Sequence, residues 1–255
     1  MLLLRNAQLA TFRDSAQAKF GAEMLAHLRA ASPRVRKTPD DALRRMIHEG
    51  IGRARAQGLN LRGPVRLFLE LMTIFGSEFH SDPQYEWAGA TLATPSRDPQ
   101  ILVARRRYQQ AKECQSQVLG PKYAYLDGAL RRIPYLAQPN IAADALATRA
   151  LEVVARVYPE KARQLGEQSL RTLLVRGAKD ARKYGLPEVQ GGVLLACFAL
   201  VLGHGYATDP LHPWIAQTFA NTELAAAPDA KMRQLAQGAL RCLVNEPAQQ
   251  MAPQL

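Results

Sequence analysis

The 255-residue sequence predicts an all-α protein built as two pseudo-symmetric helical bundles of about five helices each. Three observations carry the prediction. Ala, Leu, Arg and Gln recur throughout while only 7% of residues are aromatic, which favours helices over sheets rich in Val, Ile, Thr and aromatics. The longest apolar run, Val193 to Gly203, falls well short of the ~20 residues of a membrane-spanning helix and reads as a buried one. Finally, sliding the chain against itself by 127 positions aligns residues 43–87 with 170–214 without a gap, and 12 of those 45 pairs are identical. That period lies far outside the ~20–50 residues of solenoid repeats, so a whole bundle reads as having been copied in tandem.

The elements follow in order. Phe12, Ala16, Phe20, Met24, Leu25 and Leu28 form an apolar stripe that predicts a first helix from about Asn6 to Ala30, with its counterpart from about Ala142 to Val157. A second helix runs from about Pro39 to Gln57. Thr38 is its expected N-cap, Pro39 sits at the first helical position, and Asp40 and Asp41 complement the dipole rather than form a catalytic pair. Within it Gly50, Ala54 and Gly58 fall at i, i+4 and i+8, a small-residue stripe where another helix can approach; Gly177, Ala181 and Gly185 repeat it. Gly58-Leu59 and Gly185-Leu186 read as helix stops, the Gly left-handed and the Leu folded back over Ala54 or Ala181.

A third helix, about Gly63 to Phe75, ends at Gly76, matched by Gly203. Asp82-Pro83 and Asp209-Pro210 then repeat a cap logic in which Asp accepts from backbone N–H groups and Pro is pre-set at the first helical position. Trp87 and Trp214 follow; their recurrence at a fixed place in the repeat argues for core over binding hot spots. Each half closes with a further helix, about Pro99 to Val118 and about Ala226 to Val244. The organisation expected is therefore an N-terminal helical repeat over 1–119, a linker or docking segment over 120–141, a C-terminal helical repeat over 142–246 and a flexible tail over 247–255.

Chemistry is harder to find. Cys114, Cys197 and Cys242 are odd in number and far apart, so they build neither a disulfide framework nor a Cys-x-x-Cys knuckle and read as free, mostly packed thiols. None of the five histidines aligns with another across the repeat. His204, Asp209 and His212 form the one mixed local cluster, but without the i, i+4 pair of a helical zinc motif. No nucleophile elbow, phosphate loop or dinucleotide fingerprint occurs. The expectation is a non-enzymatic protein with no metal and no cofactor. Without a secretory signal in the first residues, a cytoplasmic location is expected.

The net charge of +11 is a general bias with no basic tail and implies some nonspecific retention on DNA at low salt. Arg55 and Arg182 recur and could recognise an acidic partner, although as last-turn cations they could equally complete the helix dipole and pair with Asp82 or Asp209. Arg105, Arg106 and Arg107 could touch a partner or nucleic acid. Three consecutive helical residues fan over about 200°, however, so they cannot all face one groove. A basic nucleic-acid-binding protein is the alternative function, and an enzyme with a composite site a more remote one.

The repeated pattern resembles a family of small helical proteins encoded in bacterial type VI secretion gene clusters, near spike and effector genes. It consists of Gly50, Ala54, Gly58, Gly76, Phe79, Asp82, Pro83 and Trp87, with Gly177, Ala181, Gly185, Gly203, Tyr206, Asp209, Pro210 and Trp214 in the second half. The resemblance covers both halves and implies an accessory that binds an effector or toxin as chaperone, adaptor or immunity protein. It supplies no catalytic residues. The second half departs at Gly191-Gly192 and at His212-Pro213. A groove between the halves is the expected docking surface.

Overall fold

The computed structural model describes residues 6–93, 100–137 and 143–245, with side chains from residue 15 onward except for 90–93. All regular structure among them is helical, as the composition predicts. The first half comprises α1 (Asn6–Ala31), α2 (Asp40–Ala56), α3 (Arg62–Phe75), α4 (Glu86–Ala93) and α5 (Gln100–Val118). After α6 (Ala124–Arg132) the second half comprises α7 (Ala143–Val157), α8 (Pro159–Tyr184), α9 (Glu188–Leu202), α10 (Pro213–Ala220) and α11 (Pro228–Gly238). A single cluster of buried apolar side chains runs through both. No described helix is by itself long and apolar enough to cross a membrane, and the pair α8 and α9 is bent by 117°.

Helix ends carry much of the local logic. Gly58 (φ 76°) and Gly185 (φ 66°) are left-handed, and behind them Leu59 N and Leu186 N reach back to Ala54 O and Ala181 O at 2.9 Å. This six-to-one bond, with Gly58 N on Arg55 O and Gly185 N on Arg182 O, satisfies carbonyls that the helix leaves open. The start of α2 differs from expectation. Pro39 is its N-cap, in an extended conformation, so Thr38 stands one position before the cap, and its carbonyl accepts from Arg29. On α1, Met24 and Leu28 are buried, Phe20 and Leu25 are half-buried and Ala16 is exposed; Phe12 lies outside the described side chains.

The two halves pack their third helices differently. At Gly50 an added Cβ would meet the side-chain ends of Leu69 and Met72 on α3, whereas at Gly177 it would stand 2.2 Å from Gly192 O and 2.8 Å from Ala196 N. The backbones of α8 and α9 thus touch, which Gly191 and Gly192 permit. As a result α9 is buried from Gly191 to Leu202, while α3 buries one face. A break at Gly166 (φ 74°) divides α8 into two pieces.

The segment 120–141, read as linker or docking element, is structural where it is described. Leu126, Ala129, Leu130, Ile133 and Leu136 are buried, and the turn Ile133–Ala137 packs on α9 and α11. The buried Asp127 accepts bonds from Val244 N (2.9 Å) and Asn245 N (3.0 Å), which fastens the end of the second half onto α6. The tail over 247–255 lies outside the described residues.

The repeated Gly and Asp-Pro positions meet at the junction of the halves. Asp82 accepts from Gln84 N (3.0 Å) on Oδ1 and from His204 N (2.8 Å) on Oδ2. Asp209 accepts from Leu211 N (2.9 Å) on Oδ1 and from Ser77 N (2.9 Å) on Oδ2. Each carboxylate therefore closes its own turn and grips the opposite half, and the helices behind these turns begin three or four residues later, at Glu86 and Pro213. Gly76 and Gly203 face each other: a Cβ at Gly76 would stand 2.5 Å from Leu202 O, and one at Gly203 2.9 Å from Phe75 O. Gly76, Asp82, Gly203 and Asp209 of the signature are thus the joint of the molecule.

Candidate functional site

An open cleft of about 430 Å³ lies on one side of this joint. Its first-half wall includes Arg34 and Lys37, from the stretch before α2, and Met72 of α3. Its second-half wall includes Leu211, His212 and Trp214 around the start of α10, with Arg241 and Cys242 after α11. Local sequence explains the placement. Asp209 fixes the turn that delivers His212, and Pro213 starts α10 so that Trp214 lies over Phe198 at 5.9 Å, edge to face. Gly238 leaves room for the indole, since a Cβ there would stand 2.4 Å from the ring. Arg34 is held by its bond to Ile74 O.

Cys242 Sγ and His212 Nδ1 are 3.5 Å apart at the cleft wall. Burial opposes charge on both, but the pair overrides it. The Cys242 thiol is lowered by the charge of His212, by their hydrogen bond, by Arg34 and by Trp214. His212 is raised by Cys242 and Asp209. The arrangement favours a thiolate facing an imidazolium, with Arg34, Lys37 and Arg241 adding positive charge around it.

The positions 127 residues away in sequence form a second cluster, in which Lys161 and Tyr85 are buried. Lys161 stands at the place of Arg34, Tyr85 at that of His212 and Trp87 at that of Trp214. Lys161 is 2% exposed, and its Nζ donates to Tyr85 OH (2.8 Å) and Leu200 O (2.5 Å). Burial pushes its ammonium down to about 8. Phe75 and Tyr85 surround Trp87 at 5.5 and 6.0 Å, and Cys114 takes a bond from Gln164 Nε2 at 3.5 Å. Lys161, Tyr85 and Cys114 are all buried.

The other sequence-derived sites resolve as follows. Arg55 donates to Gln17 (2.7 Å) and Arg182 to Glu188 (2.8 Å), both exposed; neither reaches Asp82 or Asp209, whose oxygens are occupied by backbone N–H groups. Arg105 and Arg106 are exposed on α5, but Arg107 is 2% exposed and bonds Gln57 (3.2 Å), so it is not on a surface a partner could touch. The His204, Asp209, His212 cluster separates, His204 bonding Ser81 and His212 bonding Cys242. Among the described residues no group of three or more His, Cys, Asp or Glu could hold a metal. Sequence reasoning missed Arg34, Lys37, Lys161 and the Cys242–His212 pair. The partners of that pair lie 30 positions apart with nothing in their spacing to join them.

Comparison with family models, with curated proteins and with solved structures finds no match.

Proposed function

We propose that the protein works by binding another protein, and that the open cleft beside the joint receives an acidic segment of that partner. The observation that carries this reading is the contrast between two corresponding sites: one is closed by Lys161 and Tyr85, while the other stays open with Arg34, Lys37 and Arg241 at its rim. The charge of +11 agrees with an acidic partner. The signature glycines and aspartates are spent on helix packing, helix ends and the joint, which leaves recognition to positions that differ between the halves. Tandem copying of one bundle accounts for that division, and the reciprocal bonds of Asp82 and Asp209 support it.

The resemblance to type VI secretion accessories makes the partner a secreted effector or toxin, held in the bacterial cytoplasm by a chaperone, adaptor or immunity protein. Co-expression with the product of each neighbouring gene, followed by size-exclusion chromatography, tests this. A stable complex is expected, weakened about tenfold or more by Arg34→Glu or Arg241→Glu and unchanged by Arg105→Glu. Failure to bind any neighbouring product, or a complex indifferent to both cleft reversals, contradicts the reading.

A further inference from the structure

We propose that Cys242 is a reactive thiol whose substrates are small disulfides bearing carboxylates, seated in the cationic cleft beside the joint. The proposal goes beyond protein docking and stands without it, because a small reagent tests it with no partner present. Geometry carries it: Sγ of Cys242 lies 3.5 Å from Nδ1 of His212, and both side chains line a cleft of about 430 Å³, a size suited to a small molecule. The cleft is also where an anion is attracted, since Arg34, Lys37 and Arg241 line it.

The groups that face the thiol come from every neighbouring element. His212, with Asp209 behind it, stands on the turn before α10, Trp214 lies on α10 itself, Arg34 reaches in from before α2, and Arg241 is adjacent in the chain. Their sum lowers the thiol, whereas burial dominates at the other cysteines: it raises Cys197, and it raises Cys114 despite the bond from Gln164 and the charge of Lys161. Thiolate character and access together set reactivity, and Cys242 alone of the three is both half-exposed and paired with an imidazole.

The exchange is balanced without a further oxidant. The thiolate of Cys242 attacks one sulfur of the disulfide, a new sulfur–sulfur bond forms, and the reagent's own bond breaks. The departing thiolate takes the proton of His212, which no longer faces a negative sulfur. Cys242 is thereby oxidised to a mixed disulfide and half of the reagent is reduced to thiol.

The folded protein is incubated at about pH 6.5 with oxidised glutathione or, separately, with the neutral bis(2-hydroxyethyl) disulfide, and adducts are mapped by peptide mass spectrometry. Modification is expected at Cys242 and at neither Cys114 nor Cys197. The anionic reagent should gain about tenfold over the neutral one, relative to the same ratio for a free thiol, and Arg241→Gln should remove most of that gain. His212→Gln should slow both reagents about tenfold and move the pH midpoint of the rate toward that of a free thiol. Because Arg241 is exposed, its variant retains the fold and decides the case even if His212→Gln does not fold. No adduct on the folded protein, a free-thiol pH profile at Cys242, or equal relative rates for the two reagents overturns the proposal.

Discussion

The open cleft and the filled site beside the same joint are made from positions 127 residues apart, and they differ in what stands at three of them. Where the filled site has Lys161 and Tyr85 bonded at 2.8 Å, the open one has Arg34 and His212, each bonded to another partner. Arg34 bonds Ile74 O and His212 faces Cys242. At the third, Arg241 stands in the cleft wall where Cys114 packs in the filled site. A buried lysine needs its charge met by oxygens, and Tyr85 OH and Leu200 O provide them while closing the space. The lesson is that positions sharing one sequence spacing can close into core in one half and stand open in the other when their side chains find different partners. The joint beside them is held by Asp82, Asp209, Gly76 and Gly203.

The largest effects should come from breaking that joint. Gly76 has φ 101° and almost no room beside Leu202 O, so Gly76→Ala should cost about 3–5 kcal/mol in denaturant unfolding. Gly203→Ala, with slightly more room, should cost less, and a near-neutral result for both would refute the reciprocal packing.

The next effect separates the two sites. Lys161→Ala empties the filled one and leaves Leu200 O without its partner, with an expected loss of about 2–3 kcal/mol. Lys161→Met refills the space but also leaves Leu200 O without a donor, so it should recover only part of that loss and cost about 1–2 kcal/mol. Arg34→Ala, on the half-open side, should also cost no more than about 1 kcal/mol. Equal losses for Lys161→Ala and Arg34→Ala would erase the distinction between filled and open.

Titration sharpens it further. The folded value of Lys161, about 8, lies below its ordinary 10.5, so the unfolded chain holds this proton more tightly. Stability should therefore rise as pH increases from about 8 to 10.5, and Lys161→Met should abolish that rise. His80 is held down to about 4 by burial, with Arg53, His204 and Arg107 adding. As pH falls below 6.5 the unfolded chain takes up its proton first, so stability should decline between 6.5 and about 4. His80→Gln should flatten that decline in urea midpoints measured across the window. The smallest effects belong to the exposed pairs: Arg55→Ala and Arg182→Ala should each change stability by no more than about 0.5 kcal/mol.

Much of the fold was legible because it is written in local chemistry. Glycine at 58 and 185 can stop a helix only one way, and the apolar run from Val193 announces a buried helix wherever it packs. Boundaries that depend on tertiary contacts were not. Thr38 has the right side chain for an N-cap, but Arg29 holds its carbonyl and Pro39 takes the position. The stretch 120–141 has the glycines and prolines of a linker, yet its apolar residues find α9 and α11. The site was the least visible part. Its rim joins Arg34 to Arg241, and a cleft between distant segments leaves no periodic mark on a sequence. Lys161 was hidden for a related reason, since only the packing of Tyr85 and Leu200 around it turns an ordinary lysine into a buried one.

Cys242 lines the open cleft and Cys114 is buried in the filled site, and labelling them with iodoacetamide in the folded protein tests the central contrast most directly. The account predicts that Cys242 is alkylated while Cys114 stays unmodified until the protein unfolds. Equal labelling of the two, or labelling of Cys114 ahead of Cys242, would contradict it.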